Sequence, residues 1–232
     1  MKWAAVIVAA GRGTRLGQPK QFLELAGLPM VGWSMRLFAA MDEIAEIVVA
    51  TEPESIEPMR ELLATLAPER ASRVVRGGAS RQESVYEGIS AVSDRCDGAL
   101  VHDGARPLVR VEEVRAGMAE VRERRAALLA APVVDTIKAV DPQSLRVRQT
   151  LERRTLWAAQ TPQFALLADF RAAHERARRE GVEATDDAAL LERIGIAVVA
   201  VPASSDNFKV THEQDVARAH ALLSERARSG VC

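Results

Sequence analysis

Short apolar runs rich in Val, Ile and Ala recur along the chain, at residues 4–9, 44–50, 73–75, 99–101, 127–134 and 196–201. Between most of them lie segments whose apolar residues repeat with helical spacing, at 30–41, 55–66, 82–92, 111–125, 165–179 and 213–226. A strand that is apolar at nearly every position is buried on both faces, and strands alternating with helices form βαβ units. The fold this pattern predicts is α/β: a mostly parallel sheet with helices on both faces.

Residues 133–157 break the alternation. Two extended-looking runs, 133–140 and 145–150, flank Asp141-Pro142-Gln143-Ser144, and Asp-Pro is a turn opener. A hairpin inserted after the fifth strand is predicted. It packs against its own body or serves as an arm that pairs with a partner chain, and the residues leave both open. One domain spanning 1–232, with an inserted β-arm at about 133–157, is the expected organisation.

With 232 residues, 48% of them hydrophobic, the chain is long enough to bury a sizeable core. A net charge of -1 argues against a nucleic-acid module, which relies on a bulk positive field. No apolar run approaches a membrane span, and the run from Trp3 to Ala10 reads as a buried first strand rather than a signal peptide. Cys96 and Cys232 form no metal or disulfide pattern. A cytoplasmic protein without nucleic-acid or membrane partners is expected. Among the 31 Lys and Arg residues only Lys2, Lys20, Lys138 and Lys209 are lysine. The last three each fall inside a separate motif. At Lys20 and Lys209 a compact ammonium can sit between phosphate oxygens that a guanidinium fork would meet differently, whereas for Lys138 only its place on the arm is noted.

The first strand runs into Ala9-Ala10-Gly11-Arg12-Gly13-Thr14-Arg15-Leu16-Gly17-Gln18-Pro19-Lys20-Gln21. Three glycines in seven positions let backbone N–H groups face an anion without a Cβ in the way. Arg15 and Lys20 add positive charge at the same mouth. The dinucleotide fingerprint and the P-loop are both excluded, since no third Gly and no Gly-Lys-Ser/Thr follows at the required spacing. A triphosphate cradle is the favoured reading over a plain strand-to-helix loop.

This segment resembles the nucleotidyltransferases that join a nucleoside triphosphate to a sugar or polyol phosphate. Within them the chain is most similar to the 2-C-methyl-D-erythritol 4-phosphate cytidylyltransferases of the non-mevalonate isoprenoid pathway. The resemblance implies a Rossmann-like sheet, CTP and methylerythritol phosphate as substrates, Mg²⁺ as cofactor, and a homodimer joined by swapped β-arms.

Four further elements carry the same resemblance. Gly77-Gly78-Ala79-Ser80-Arg81-Gln82-Glu83-Ser84 matches the loop with which the family reads cytosine. It assigns Gly78 and Ser84 to the base, with Ala9, Ala10, Gly11 and Gly13 around the nucleotide. Read locally it is a turn with Ser80 as helix N-cap. Ala79 stands where some relatives carry an acid, so only a main-chain role would survive there. His102-Asp103-Gly104-Ala105-Arg106-Pro107 follows a strand end, where open α/β sheets bind ligands. The family pattern makes Asp103 a Mg²⁺ ligand and Arg106 an anion contact, while His102 reads as structural. On the arm, Asp135-Thr136-Ile137-Lys138 and Arg153 correspond to residues that grip the polyol phosphate in the partner's site. Thr161 and Thr185 are implied as further polyol or phosphate contacts, although Thr185 alone reads as an N-cap. Asp206-Asn207-Phe208-Lys209-Val210-Thr211 implies Asp206 as a second metal ligand and Lys209 on the substrate phosphate.

The reaction implied is attack of a phosphate oxygen on the α-phosphorus of CTP, with Arg15, Lys20 and Lys209 as the catalytic cations. Two other readings share parts of the pattern. Ribitol-5-phosphate cytidylyltransferases share the cradle but tend to begin it Ala-Gly-Gly and lack Asp-Thr-Ile-Lys. A non-catalytic nucleotide-binding protein would be expected to lose Lys20 or Asp103, and both are present.

Overall fold

Trp3–Ala9 carries no charged side chain and forms β1, an interior strand of a seven-stranded sheet. The computed structural model describes residues 1–11 and 19–229. In chain order the elements are β1, the two-residue strands β2 (Glu24–Leu25) and β3 (Leu28–Pro29), α1 (Met30–Ala39), β4 (Ile44–Thr51), α2 (Ile56–Leu66), β5 (Ala71–Arg76), α3 (Arg81–Ala91), β6 (Gly98–Asp103) and α4 (Val111–Arg124). They continue with β7 (Ala126–Pro132), β8 (Lys138–Val140), β9 (Val147–Thr150), β10 (Trp157–Leu166), α5 (Leu167–Glu180), α6 (Asp187–Arg193), β11 (Val199–Pro202) and α7 (Glu213–Ser229). All six predicted strands and all six predicted helices are present, with ends moved by a few residues.

The sheet order is β11-β7-β10-β6-β1-β4-β5. β1 pairs in parallel with β4 and β6, β4 with β5, and β7 with β11. β10 runs antiparallel to both β6 and β7. Side chains alternate across a strand, and β1 shows the consequence directly. Trp3, Ala5 and Ile7 pack with α1, α2 and α4, whereas Ala4 and Val6 pack with α3, α5 and α6. A third cluster seats α7 on Leu25, Met30, Trp33 and Leu108.

The hydrophobic pattern predicts no strand at β10 and begins a helix at 165, two residues inside that strand's end. Its sequence Trp-Ala-Ala-Gln-Thr-Pro-Gln-Phe-Ala-Leu is neither apolar throughout nor alternating. Gln160, Thr161 and Gln163 are nevertheless buried, because each finds polar partners inside. Pro162 lies where the pairing with β7 shifts between Ala159 and Gln163, the kind of irregularity at which a sheet accepts a residue without an N–H.

β8 and β9 form a separate two-stranded antiparallel sheet, shorter than the predicted extended runs. The turn between them is held by Asp141, whose Oδ1 accepts hydrogen bonds from the Gln143 and Ser144 N–H groups at 3.1 and 2.9 Å. Arg148 pairs with the other carboxylate oxygen. The base of the hairpin is tied by the Val133 N–H to the Leu156 carbonyl at 3.1 Å.

Candidate active site

β1, β4, β5 and β6 run in one direction, so their C-terminal ends open onto the same edge of the sheet. A cavity of about 550 Å³ lies there. Its walls are Val8 to Gly11 after β1, Lys20, Gln21 and Met30, Glu52 after β4, Gly78 to Arg81 and Ser84 at the start of α3, Asp103 to Ala105 after β6, and Lys209.

The loop before α3 is shaped by close approach. A Cβ on Gly77 would stand 2.6 Å from the Ala10 Cβ, and one on Gly78 only 2.2 Å from the Glu83 Cβ. The Gly77 N–H donates to the Thr51 carbonyl at 2.7 Å, which locks this loop to the end of β4. Ser80 is the N-cap of α3 in a complete capping box: its Oγ accepts from the Glu83 N–H, and Glu83 Oε2 accepts from the Ser80 N–H. Glu83 Oε2 also takes the Ala79 N–H at 2.6 Å. Ser84 Oγ accepts from the Gly78 N–H at 3.1 Å and donates to the Ser80 carbonyl at 2.8 Å. The Ser84 hydroxyl, assigned by resemblance to the base, therefore braces the loop from within.

Asp103 ends β6 and forms the floor of the cavity. Its Oδ2 accepts from Lys209 Nζ at 2.8 Å and its Oδ1 from Arg81 Nε at 2.9 Å. Burial alone would push this carboxyl up, but the adjacent Arg81 and Lys209 charges outweigh it and hold the group well below the usual carboxylate range. The Asp103 N–H donates to Thr161 Oγ1 at 3.0 Å. The Thr161 hydroxyl proton is then left for His102 Nδ1 at 3.1 Å, and His102 Nε2 donates to the Arg106 carbonyl at 3.0 Å. His102 is fully buried, and burial pushes its pKa down to about 4, so it is neutral with the proton on Nε2.

The structure brings Ala9, Ala10, Gly11, Lys20, Gly78, Ser84, Asp103 and Lys209 to one cavity. Gly13 and Arg15 lie outside the described residues. Thr161 is buried beneath Asp103, where its hydroxyl is committed to His102 and the Asp103 N–H rather than turned toward the cavity. Arg106 donates from Nη1 to the Asn207 carbonyl at 2.7 Å. Asp206 does not line the cavity; its carboxylate pairs with Arg218 at 3.1 Å and Arg110 at 3.9 Å. Thr136 and Arg153 are exposed on the arm, where Arg153 Nη1 donates to the Val134 carbonyl at 2.7 Å. Thr185 is exposed, and the N-cap of α6 is its neighbour Asp186, whose side chain accepts from the Ala189 N–H. Arg81 lies inside the cytosine-loop motif, where the sequence attaches no role to it. The available signal is its position: a cation in the first turn of a helix opposes the helix dipole and needs carboxylates to balance it.

Mg²⁺ is commonly held by one or two carboxylates, with phosphate oxygens and water completing its shell. The buried, ionised Asp103 fits that role. Among the described residues no group of three or more His, Cys, Asp or Glu could form a metal cage of protein ligands alone.

A glycine-lined mouth, two lysines and one buried carboxylate at the carboxyl edge of a mostly parallel sheet define an α/β enzyme that handles nucleotide phosphates. The family follows from comparison with known proteins. Residues 3–225 match the family model described as IspD: 2-C-methyl-D-erythritol 4-phosphate cytidylyltransferase, and the chain belongs to that family. A protein of that name from Halalkalibacterium halodurans is 41% identical over 231 residues, covering 98% of this chain and 100% of its own. The crystal structure of the Thermus thermophilus 2-C-methyl-D-erythritol 4-phosphate cytidylyltransferase superposes with a TM-score of 0.78 at 34% identity, over 94% of this chain and 97% of that one. That of the 4-diphosphocytidyl-2C-methyl-D-erythritol synthase from Anaerococcus prevotii gives a TM-score of 0.86 at 25% identity, over 96% and 98%.

Proposed function

We propose that this chain transfers the cytidylyl group of CTP to 2-C-methyl-D-erythritol 4-phosphate, releasing pyrophosphate and 4-diphosphocytidyl-2-C-methyl-D-erythritol for isoprenoid precursor synthesis. The observation that carries this reading is the meeting of Lys20, Lys209 and Asp103 in one cavity, in a chain that matches the family over residues 3–225.

A phosphate monoester has its second pKa near ~6, so the attacking group is already a dianion at neutral pH and needs no general base. A bond forms from that phosphate oxygen to the α-phosphorus, and the bond from the α-phosphorus to the bridging oxygen of pyrophosphate breaks. The obstacle is repulsion between two anions, so the protein must position and neutralise. Lys20 is suited to the α-phosphate and leaving group, and Lys209 to the attacking phosphate. Gly11 and the loop at Gly78 admit the nucleotide by leaving out side chains. Asp103 is the residue that would hold Mg²⁺, and the ion supplies charge neutralisation on the triphosphate when bound.

The arm is read as a dimerisation element that delivers Thr136 and Arg153 to the partner's site. Supporting this, Val134, Val140, Leu145, Val147 and Trp157 are exposed, and among the described residues Met1 is the one other large hydrophobic side chain that is. Large apolar side chains exposed along one inserted segment fit a surface that a partner covers. A cytoplasmic location is part of the reading. Cys96 is a free, buried thiol, and no helix among the described residues is long and apolar enough to cross a membrane.

Pyrophosphate release measured with each of CTP, UTP, ATP and GTP against methylerythritol, ribitol and sugar phosphates tests the assignment. Turnover confined to CTP with methylerythritol phosphate is expected. Preferred use of ribitol 5-phosphate, or of another nucleotide, would overturn it.

A further inference from the structure

Behind Asp103 a row of alternating charges continues past the groups assigned to the transfer step. Arg81, the first residue of α3, spans two carboxylates: Nε donates to Asp103 Oδ1 at 2.9 Å and Nη2 donates to Asp187 Oδ2 at 3.0 Å. Asp187, the first residue of α6, is 1% exposed, and its Oδ1 lies 3.2 Å from Nε2 of the equally buried His174 on α5. Lys209 closes the row at the cavity end. Lys209, Asp103, Arg81 and Asp187 alternate in sign and sum to zero, which makes their burial together tolerable.

Stability does not explain the arrangement. Taking a guanidinium and a carboxylate out of water costs about as much as their attraction returns, and apolar residues of similar size often hold a fold equally well. A cation at the start of α3 also opposes the helix dipole. What arginine adds is geometry. Its donors leave one rigid plane, so fixing Nη2 on Asp187 fixes where Nε meets Asp103. Asp187 lies beside His174, and the helices that carry them, α6 and α5, pack into the core beneath the sheet.

We propose that Asp187, acting through Arg81 and steadied by His174, is a positioning residue for Asp103. It commits one edge of that carboxylate to Arg81, so that the other faces Lys209 and the incoming phosphates. The inference rests on the function proposed above and adds to it the buried Asp187 and His174, which do not line the cavity.

The test uses the full chain with CTP and methylerythritol phosphate. Asp187→Asn keeps size and packing but weakens the hold on Arg81; kcat should fall about tenfold or more, with KM for CTP within about twofold of wild type. Arg81→Lys keeps the charge, but a single ammonium cannot span both carboxylates, and it should not restore turnover. The paired substitution Arg81→Met with Asp187→Leu removes both buried charges; it should fold, by circular dichroism and a cooperative melt, and remain slow. A crystal structure of Asp187→Asn should show Asp103 turned off its 2.8 Å contact with Lys209. Wild-type kcat in Asp187→Asn or in the apolar pair, full activity in Arg81→Lys, or an unmoved Asp103 would overturn the relay. A wild-type chain that releases no pyrophosphate would instead sink the proposed function.

Discussion

Lys209 Nζ lies 2.8 Å from Asp103 Oδ2, joining two residues that are 106 positions apart in the chain. Neither side chain makes a site by itself. Together they set a cation that can meet a phosphate beside the carboxylate that can hold its counter-ion, and both line one cavity with Lys20.

Lys20 makes the sharpest demand on that arrangement. It lines the wall beside Gly11, where a Cβ would stand 3.8 Å from its Cε. Lys20→Ala should lower kcat by about 10²–10³, as the loss of one group that stabilises developing charge does elsewhere, with the melting temperature unchanged. Turnover within a few-fold of wild type would remove Lys20 from the chemistry.

The arm should hold two chains together through its exposed apolar side chains. Replacing Leu145 and Val147 by Ser should shift sedimentation velocity toward a monomer. If Arg153 acts in the partner's site, mixing inactive Lys20→Ala and Arg153→Ala chains should restore part of the activity in the heterodimer, which leaves one site with both residues intact. An Arg153 acting within its own chain would give none.

Acid should weaken the fold through His102. Its folded pKa of about 4 lies below the ordinary 6.5, so between these values the unfolded chain takes up a proton that the folded one refuses. Stability should therefore fall as pH drops from about 6.5 to about 4. Asp103, held low by Arg81 and Lys209 despite its burial, adds a further loss only at more acid pH. Urea midpoints across this range should show the slope, and His102→Gln should flatten it.

Gly117 on α4 faces Phe164 of β10, and a Cβ there would come within 2.2 Å of the ring. Gly117→Ala should cost about 1–3 kcal/mol by overpacking, read as a lower urea midpoint. A gain from the better helix former would show that α4 can shift away from the sheet.

The amino-acid sequence alone determined the strands that are apolar throughout, the helices between them, and the motifs whose residues are neighbours in the chain. β1, Gly77 to Ser84 and Asp103 are legible because hydrophobic period and turn chemistry act over a few residues. β10 was not legible, since Gln160, Thr161 and Gln163 are buried only because distant groups satisfy them. The same reason separates Asp206 from Asp103: sequence offers two similar aspartates, and the fold sets Arg218 and Arg110 around one of them. Arg81 and Asp187 likewise stand 106 residues apart, and only the packing of α3, α5 and α6 beneath the sheet turns them into one buried pair. Local patterns fix elements; the desolvation of charge, which depends on everything packed nearby, decides what the site becomes.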